Sequence, residues 1–251
     1  MIKMENKTNQ FDAIVIGSGI GGLTTASLLS RIGKRKVLVL ESHFKLGGFT
    51  HSFKRKQYEW DAGVHYVGEM YPKALSRKIM DLVTGKNVEW SRMGPIMERY
   101  FFPDVSFDVA SDPQKFMDDL IERFPAEAVG IRKYFKLLKS MQGWSIRWFI
   151  GKTLPRPFAN ALTWMGRNKA GTPTQVLLDS IFKDPSLKAI LAGQWPDYGT
   201  PPDESAFALH ATVMADFLHG AFYPVGGSKG IAEGAQKVIE NAGEVAESIT
   251  P

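Results

Sequence analysis

The apolar positions of the first forty residues fall into three blocks. Phe11-Asp-Ala-Ile-Val-Ile16 is a short β-branched run, which reads as a strand buried on both faces. Leu23 to Ile32 is rich in Leu, Ala and Ile and stops at Gly33, predicting a helix with a glycine just past its end. Val37 to Leu40 reads as a second buried strand closed by Glu41, and the three blocks together make one β-α-β unit. Farther on, Phe53 to Trp60 alternates apolar and polar and predicts a short hairpin, and Met70 to Lys86 predicts a helix. Val88 to Trp90, Met97 to Phe102 and Val105 to Val109 alternate like strands, with Pro103-Asp104 as a turn between the last two. Ser111-Asp-Pro113 starts a helix running to Phe124. The chain then reads as mostly helical, broken at Pro155, Pro157 and Gly171 to Pro173. Asp184-Pro185 opens another helix, Pro201-Pro202-Asp203 the one through Leu218, and Ile231 to Asn241 the last, before Gly243.

The first strand and helix are joined by Gly17-Ser18-Gly19-Ile-Gly-Gly22. In a GxGxxG turn the first glycine permits the tight exit from the strand. The second lets a pyrophosphate approach the backbone, and the third lets the helix pack close to the sheet. The helix start adds unpaired N–H groups and a partial positive charge. Glu41 follows Gly22 by 19 residues, where a carboxylate can accept hydrogen bonds from ribose hydroxyls. The pattern predicts dinucleotide binding, with NAD and FAD equally open. A triphosphatase loop is excluded, because no Lys-Ser/Thr follows the glycines.

Composition narrows the chemistry. The 251 residues contain no cysteine, which removes disulfides, thiolate metal sites, iron–sulfur clusters and cysteine nucleophiles. The five histidines show no HExxH spacing, so no metal site is expected. Met1 to Gln10 lacks the apolar core of a signal peptide, and no apolar run approaches the ~20 residues that span a bilayer. A cytoplasmic location is the expectation. The formal charge of +5 is unevenly spread: Ala128 to Leu178 holds no Asp or Glu, but nine Lys and Arg interleaved with Trp144, Trp148, Phe149, Phe158 and Trp164. Such a stretch suits peripheral contact with a membrane, and equally a solvated basic face over an aromatic core. No nucleic-acid module accompanies it, and nucleic acid is not expected as a partner.

Beyond Glu41 lie Gly47-Gly48-Phe49-Thr50 and Asp61-Ala-Gly63-Val64-His65-Tyr-Val-Gly68, and far downstream Phe222-Tyr-Pro-Val-Gly226-Gly227-Ser-Lys-Gly230. With the GxGxxG turn and its acid, these pieces resemble the phytoene desaturase, carotenoid isomerase and retinol saturase group of glutathione-reductase-like FAD oxidoreductases. The Gly63 to Gly68 piece is most like the retinol saturase branch. The resemblance implies an α/β, Rossmann-like FAD-binding domain, incomplete here, over 1–70 and 220–251, with a mostly helical substrate or lid region inserted over 71–219. It implies that Gly17, Ser18, Gly19, Gly22 and Glu41 hold the ADP half of FAD. Gly47, Gly48, Phe49 and Thr50 would pass along the pyrophosphate and ribityl chain, and Gly63, Val64 and His65 would approach the isoalloxazine. Many relatives carry Arg where Phe49 stands, so a guanidinium contact is lost or supplied elsewhere, for instance by Arg55.

In such enzymes the flavin carries the hard chemistry, and the protein places a substrate carbon and excludes water. The resemblance implies oxidation or reduction of C–C bonds in a polyene or isoprenoid lipid, with NAD(P) as an electron donor or acceptor. His65 is the candidate catalytic residue, as proton donor or charge partner of the reduced flavin. Asp61 reads as a turn-fixing carboxylate. Relatives run to roughly twice this length, so the resemblance implies an amino-terminal portion, with the carboxy-terminal half expected to be missing or supplied by another chain. Two alternatives stay open: a polyene isomerase, and an inert nucleotide-binding fragment.

Overall fold

A computed structural model describes residues 10–103, 106–241 and, as backbone, 245–248. In chain order the elements are β1 (Ala13–Ile16), α1 (Ile20–Arg31), β2 (Val37–Glu41), β3 (Ser52–Arg55), β4 (Tyr58–Asp61), α2 (Leu75–Val83) and β5 (Trp90–Arg92). Then come β6 (Ile96–Phe101), β7 (Ser106–Ala110), α3 (Pro113–Arg123), α4 (Ala128–Gly151), α5 (Arg156–Thr163), α6 (Arg167–Gly171) and α7 (Thr174–Ile181). The series ends with α8 (Pro185–Ala192), α9 (Trp195–Tyr198), α10 (Phe207–Phe217), β8 (Phe222–Pro224), α11 (Lys229–Asn241) and β9 (Val245–Ser248). The chain divides into two compact units, one of residues 1–92 with 222–251 and the other of residues 93–221.

The first unit is built on a parallel sheet in the order β1-β2-β9, with Ala13 opposite Val37 and Leu38 opposite Val245. Leu23 and Ala26 of α1, Val37 and Val39 of β2, Val83 of α2 and Ala235 and Ile239 of α11 make its core, all 0% exposed. Only one face of β1 and β2 enters that core, contrary to the strands buried on both faces that their apolar runs predict. Ile14 and Ile16 are 60% and 86% exposed. Among the described residues β1 has a neighbour on one side alone, and the helices cover the face that carries Val37 and Val39. The hairpin β3-β4 forms as expected, and β5 pairs antiparallel with β8.

Local signals set several boundaries. Asp112 accepts the Lys115 N–H at 2.7 Å and Pro113 follows, so α3 begins where the Asp-Pro step places it. Asp184 likewise accepts the N–H groups of Ser186 and Leu187. The helix expected from Met70 is shorter, because the chain stays irregular through Pro72 and Ala74 is extended. At the end of α1, Gly33 is required by close approach, since a Cβ there would meet the Leu29 carbonyl at 2.6 Å. The left-handed residue is Lys34 (φ 52°). The turn expected at Pro103-Asp104 and the glycine at 243 lie partly or wholly outside the described residues.

The second unit pairs β6 with β7 and is otherwise helical. Its core holds a polar chain: the Tyr134 hydroxyl lies 2.8 Å from His210 Nε2, and Tyr198 lies 3.2 Å from Nδ1. A neutral imidazole satisfies both, donating through one nitrogen and accepting through the other. Burial pushes the His210 pKa down to about 4. Below its ordinary value of 6.5 the unfolded chain binds the proton first, so stability falls as pH drops from 6.5 towards 4, by roughly 3 kcal/mol in all. Urea unfolding at pH 7 and pH 4.5 reads this loss, and His210→Phe removes most of it; an unchanged pH slope in that variant refutes the assignment. Among the described residues no helix is long and apolar enough to cross a membrane.

Candidate dinucleotide site

The site begins where β1 stops. Gly17 turns the chain with φ 91° and donates its N–H to the Leu40 carbonyl at 2.7 Å, which locks the loop to β2. Gly22 packs against that turn so closely that an added Cβ would lie 1.9 Å from the Gly17 carbonyl oxygen. Gly19 is the N-cap of α1 and lends no side chain to it. The first-turn N–H groups therefore have no side-chain partner, no acid stands in that turn, and nothing lies within 4 Å of where a Gly19 Cβ would be. An anion finds there both donors and the positive end of a helix.

Ser18 ties the loop to the acid. Its N–H and its hydroxyl donate to Glu41 Oε2 at 2.7 and 2.6 Å, and its oxygen accepts the Gly47 N–H at 3.0 Å. The second carboxylate oxygen, Oε1, accepts the His43 N–H at 2.9 Å. These donors, the Ser18 hydroxyl foremost and then the His43 N–H, hold the Glu41 pKa at about 2. Glu41 is thus a fixed anion at the tip of β2, suited to accept hydroxyl donors rather than to exchange protons.

The second glycine pair comes to the same place. Gly47 has φ 114° and Gly48 φ 54°, and a Cβ on Gly48 would meet the Gly19 Cα at 2.9 Å. Phe49, 80% exposed, lays its ring against Gly63, where an added Cβ would stand 2.7 Å from the ring edge. The aromatic side chain at this position thus packs on the Gly63 turn. Arg55 sits at the turn end of the hairpin, opposite Tyr58. Thr50 is buried, and its hydroxyl and its N–H both donate back to the Gly47 carbonyl, at 2.8 and 3.0 Å.

The third piece is held by a clasp that the motif pattern leaves unassigned. Asp61 accepts hydrogen bonds from the Tyr223 hydroxyl and, at 3.1 Å, from the Ser228 N–H. Tyr223 also reaches the Val64 carbonyl at 3.1 Å, and the Ser228 hydroxyl reaches the Thr50 carbonyl at 3.1 Å. Burial alone would raise the Asp61 pKa, yet the bonds from Tyr223 and Ser228 hold it below its ordinary value. Burial and the Asp61 charge in turn push Tyr223 up to about 12. Asp61 fixes the turn, as its position before Ala62-Gly63 suggests; Tyr223 and Ser228 belong to the downstream motif piece more than 150 residues away, and no local pattern announces their contact with Asp61. His65 is exposed, and its Nδ1 lies 2.6 Å from the Tyr66 carbonyl. A carbonyl only accepts, so Nδ1 is the donor in this contact.

Residues 15–81 match the NAD(P)-binding Rossmann-like domain family. The chain is similar to the all-trans-retinol 13,14-reductase of Homo sapiens, with 35% identity over 93% of this chain and 40% of that protein. It is also similar to a prolycopene isomerase of an Oncidium hybrid cultivar, with 27% identity over 94% of this chain and 42% of that one. The crystal structure of an oxidoreductase from Methanosarcina mazei shares the fold, with a TM-score of 0.65 at 19% identity over 94% of this chain and half of the other. The resemblance carried by the motifs therefore extends over nearly the whole chain, whose α/β Rossmann-like domain is interrupted by a mostly helical region. The chain spans about 40% of the length of the retinol reductases it matches.

Proposed function

We propose that this chain forms the dinucleotide-binding part of an FAD-dependent oxidoreductase acting on C–C bonds of a polyene or isoprenoid lipid. The observation that carries the reading is the meeting of Gly19, Gly48, Ser18 and Glu41 at an uncapped helix start, together with the likeness to retinol reductases. The residues fit the ADP half of FAD. Gly19 leaves room for a pyrophosphate, Ile20 to Gly22 offer N–H groups, and Glu41 keeps its charge for the ribose. Gly17 and Gly22 build the turn, while Gly47, Gly48, Phe49 and the Thr50 backbone border the path onward.

When bound, the flavin would exchange hydride with the lipid. The chain's own contribution is to bind, orient and exclude water. In this reading Gly63 and Val64 present backbone to the ring, and the Asp61 clasp keeps them in place. His65, with Nδ1 held by Tyr66, would hold or release a proton at Nε2. Residues 1–92 and 222–251, the first unit, would serve as the FAD domain, incomplete by itself, and 93–221 as the substrate region; α2 and β5, expected beyond a boundary at residue 70, belong to the first unit. The remaining flavin contacts come from sequence beyond these residues or from a partner chain, and NAD(P) serves as electron donor or acceptor. A lipid substrate reaches the protein from a bilayer, and the basic aromatic stretch 128–178 suits that approach.

Reconstitution tests the reading. The purified chain is expected to retain FAD, not NAD+, through gel filtration, with visible flavin absorbance. Retention of NAD+ instead, or of neither, refutes it. Reoxidation of the reduced flavin by a polyene then separates an enzyme from an inert nucleotide-binding fragment. A change of double-bond geometry without net reoxidation would favour the isomerase relatives.

A further inference from the structure

Two hollows meet on the helical unit. One, of about 470 Å3, is lined mainly by apolar groups, among them Trp144, Trp148, Phe149, Ala170 and Leu209. The other, of about 460 Å3, shares Trp144, Trp148 and Arg167 with the first and adds Lys152, Arg156 and Asn160. A greasy slot thus opens directly beside a cationic one. The Lys152 ammonium lies 4.4 Å from the Trp148 ring centroid, at the boundary of the two. Arg167 donates to Asn160 Oδ1 at 2.9 Å and to Thr163 Oγ1 at 3.1 Å, both neutral partners. Lys152, Arg156 and Arg167 form no ion pair with a carboxylate among the described residues.

The surface around the slot is apolar and exposed. Phe149 and Phe158 are 63% and 64% exposed, and Trp164 and Met165, in the turn between α5 and α6, are 78% and 80% exposed. A solvated basic face has no reason to carry large apolar side chains in such density. We propose that the end of α4, α5 and the α5–α6 turn dock on an anionic bilayer. One lipid's acyl chain would enter between Trp144, Trp148 and Phe149, and its phosphate would rest on Lys152, Arg156 and Arg167. Charge selects this occupant. From Ala128 to Leu178 every formal charge is positive, so a second copy presenting this same face would be repelled, while an anionic leaflet is attracted and buries the aromatic rim. The inference deepens the lipid-enzyme reading above, and its test uses no flavin, so the two fail separately.

The test uses the whole chain with phosphatidylcholine vesicles and with vesicles that also contain phosphatidylglycerol. Binding is expected only to the anionic vesicles and should weaken as salt rises. Lipids brominated along the acyl chain should quench tryptophan emission, and less so in the Trp148→Phe, Trp164→Phe double variant. Lys152→Glu with Arg156→Glu, both exposed, should lower affinity about tenfold or more. Lys133→Glu with Lys136→Glu changes the charge equally, about 28 Å away along α4, and should cost less than about threefold. Equal losses from the two pairs would reduce the effect to diffuse attraction and overturn the proposal. So would undiminished binding to neutral vesicles, absence of quenching, or no binding at all.

Discussion

Gly22→Ala is expected to destabilise the nucleotide unit by about 3 kcal/mol or more, a loss of about 10 °C in melting temperature. The new methyl group would stand 1.9 Å from the Gly17 carbonyl oxygen and 3.1 Å from its carbon. Neither atom can yield cheaply, because both are backbone in a turn bonded to Leu40 of β2. Either α1 lifts from the sheet, opening the core of Leu23, Ala26 and Val39, or the turn breaks. Gly19→Ala should behave in the opposite way. No atom lies within 4 Å of its new methyl, and its φ of −60° and ψ of 171° suit alanine. The variant should melt like the parent chain, yet bind FAD at least about tenfold more weakly, because the methyl occupies the approach of the pyrophosphate. Circular dichroism melts and flavin titration read both variants. A Gly22→Ala chain that melts normally, or a Gly19→Ala chain that binds normally, contradicts the division of labour assigned to these glycines.

That division was half visible in the sequence. The β-α-β unit was legible because its signals are local: two apolar runs, a glycine turn, and an acid at a fixed distance. The starts of α3 and α8 were legible for the same reason, since an Asp-Pro step caps a helix wherever it occurs. Non-local partners account for the misreadings. Pro201-Pro202-Asp203 does not open α10, which begins at Phe207. Its segment serves α7 instead: the Pro202 carbonyl accepts the Gln175 N–H and the Ser205 carbonyl the Thr174 N–H, both at 2.8 Å. Ile14 and Ile16 look like core and are exposed, because burial of a strand face depends on what else covers the sheet. The site shows the same limit. Gly17, Gly19, Gly22 and Glu41 could be chosen by spacing, whereas Ser18 as the link from Glu41 to Gly47 appears only when the loops are folded together. That the Thr50 hydroxyl is spent on the Gly47 carbonyl is likewise invisible in the spacing.

Glu41→Ala is the second large effect expected, and it should fall on affinity more than on stability. The substitution leaves the Ser18 N–H, the Ser18 hydroxyl and the His43 N–H without their acceptor. Ser18 is itself fully buried, but Glu41 is not, so water can enter the space the carboxylate leaves and replace much of the lost bonding, and the melting temperature should fall by only a few degrees. Dinucleotide binding has no such replacement: the ribose loses a charged acceptor, and the Ser18 hydroxyl, freed from Oε2, no longer holds Gly47 against the loop. Hydrogen bonds to charged groups contribute about 1.5–3 kcal/mol each, so FAD affinity should fall about ten- to a hundredfold. Glu41→Gln should fall between the variant and the parent, since an amide keeps one acceptor but turns a donor towards Ser18 or His43. The pH dependence separates charge from shape. With a folded pKa of about 2 against an ordinary 4.5, the carboxylate is ionised throughout the neutral range. Its contribution is present above 4.5 and is lost only as pH falls towards 2. The parent chain should therefore show no Glu41-dependent step in FAD affinity between pH 5 and 8. A step in that range that disappears in Glu41→Gln would mean that the carboxylate titrates during binding, and the hydrogen-bond network drawn around Ser18 would be wrong.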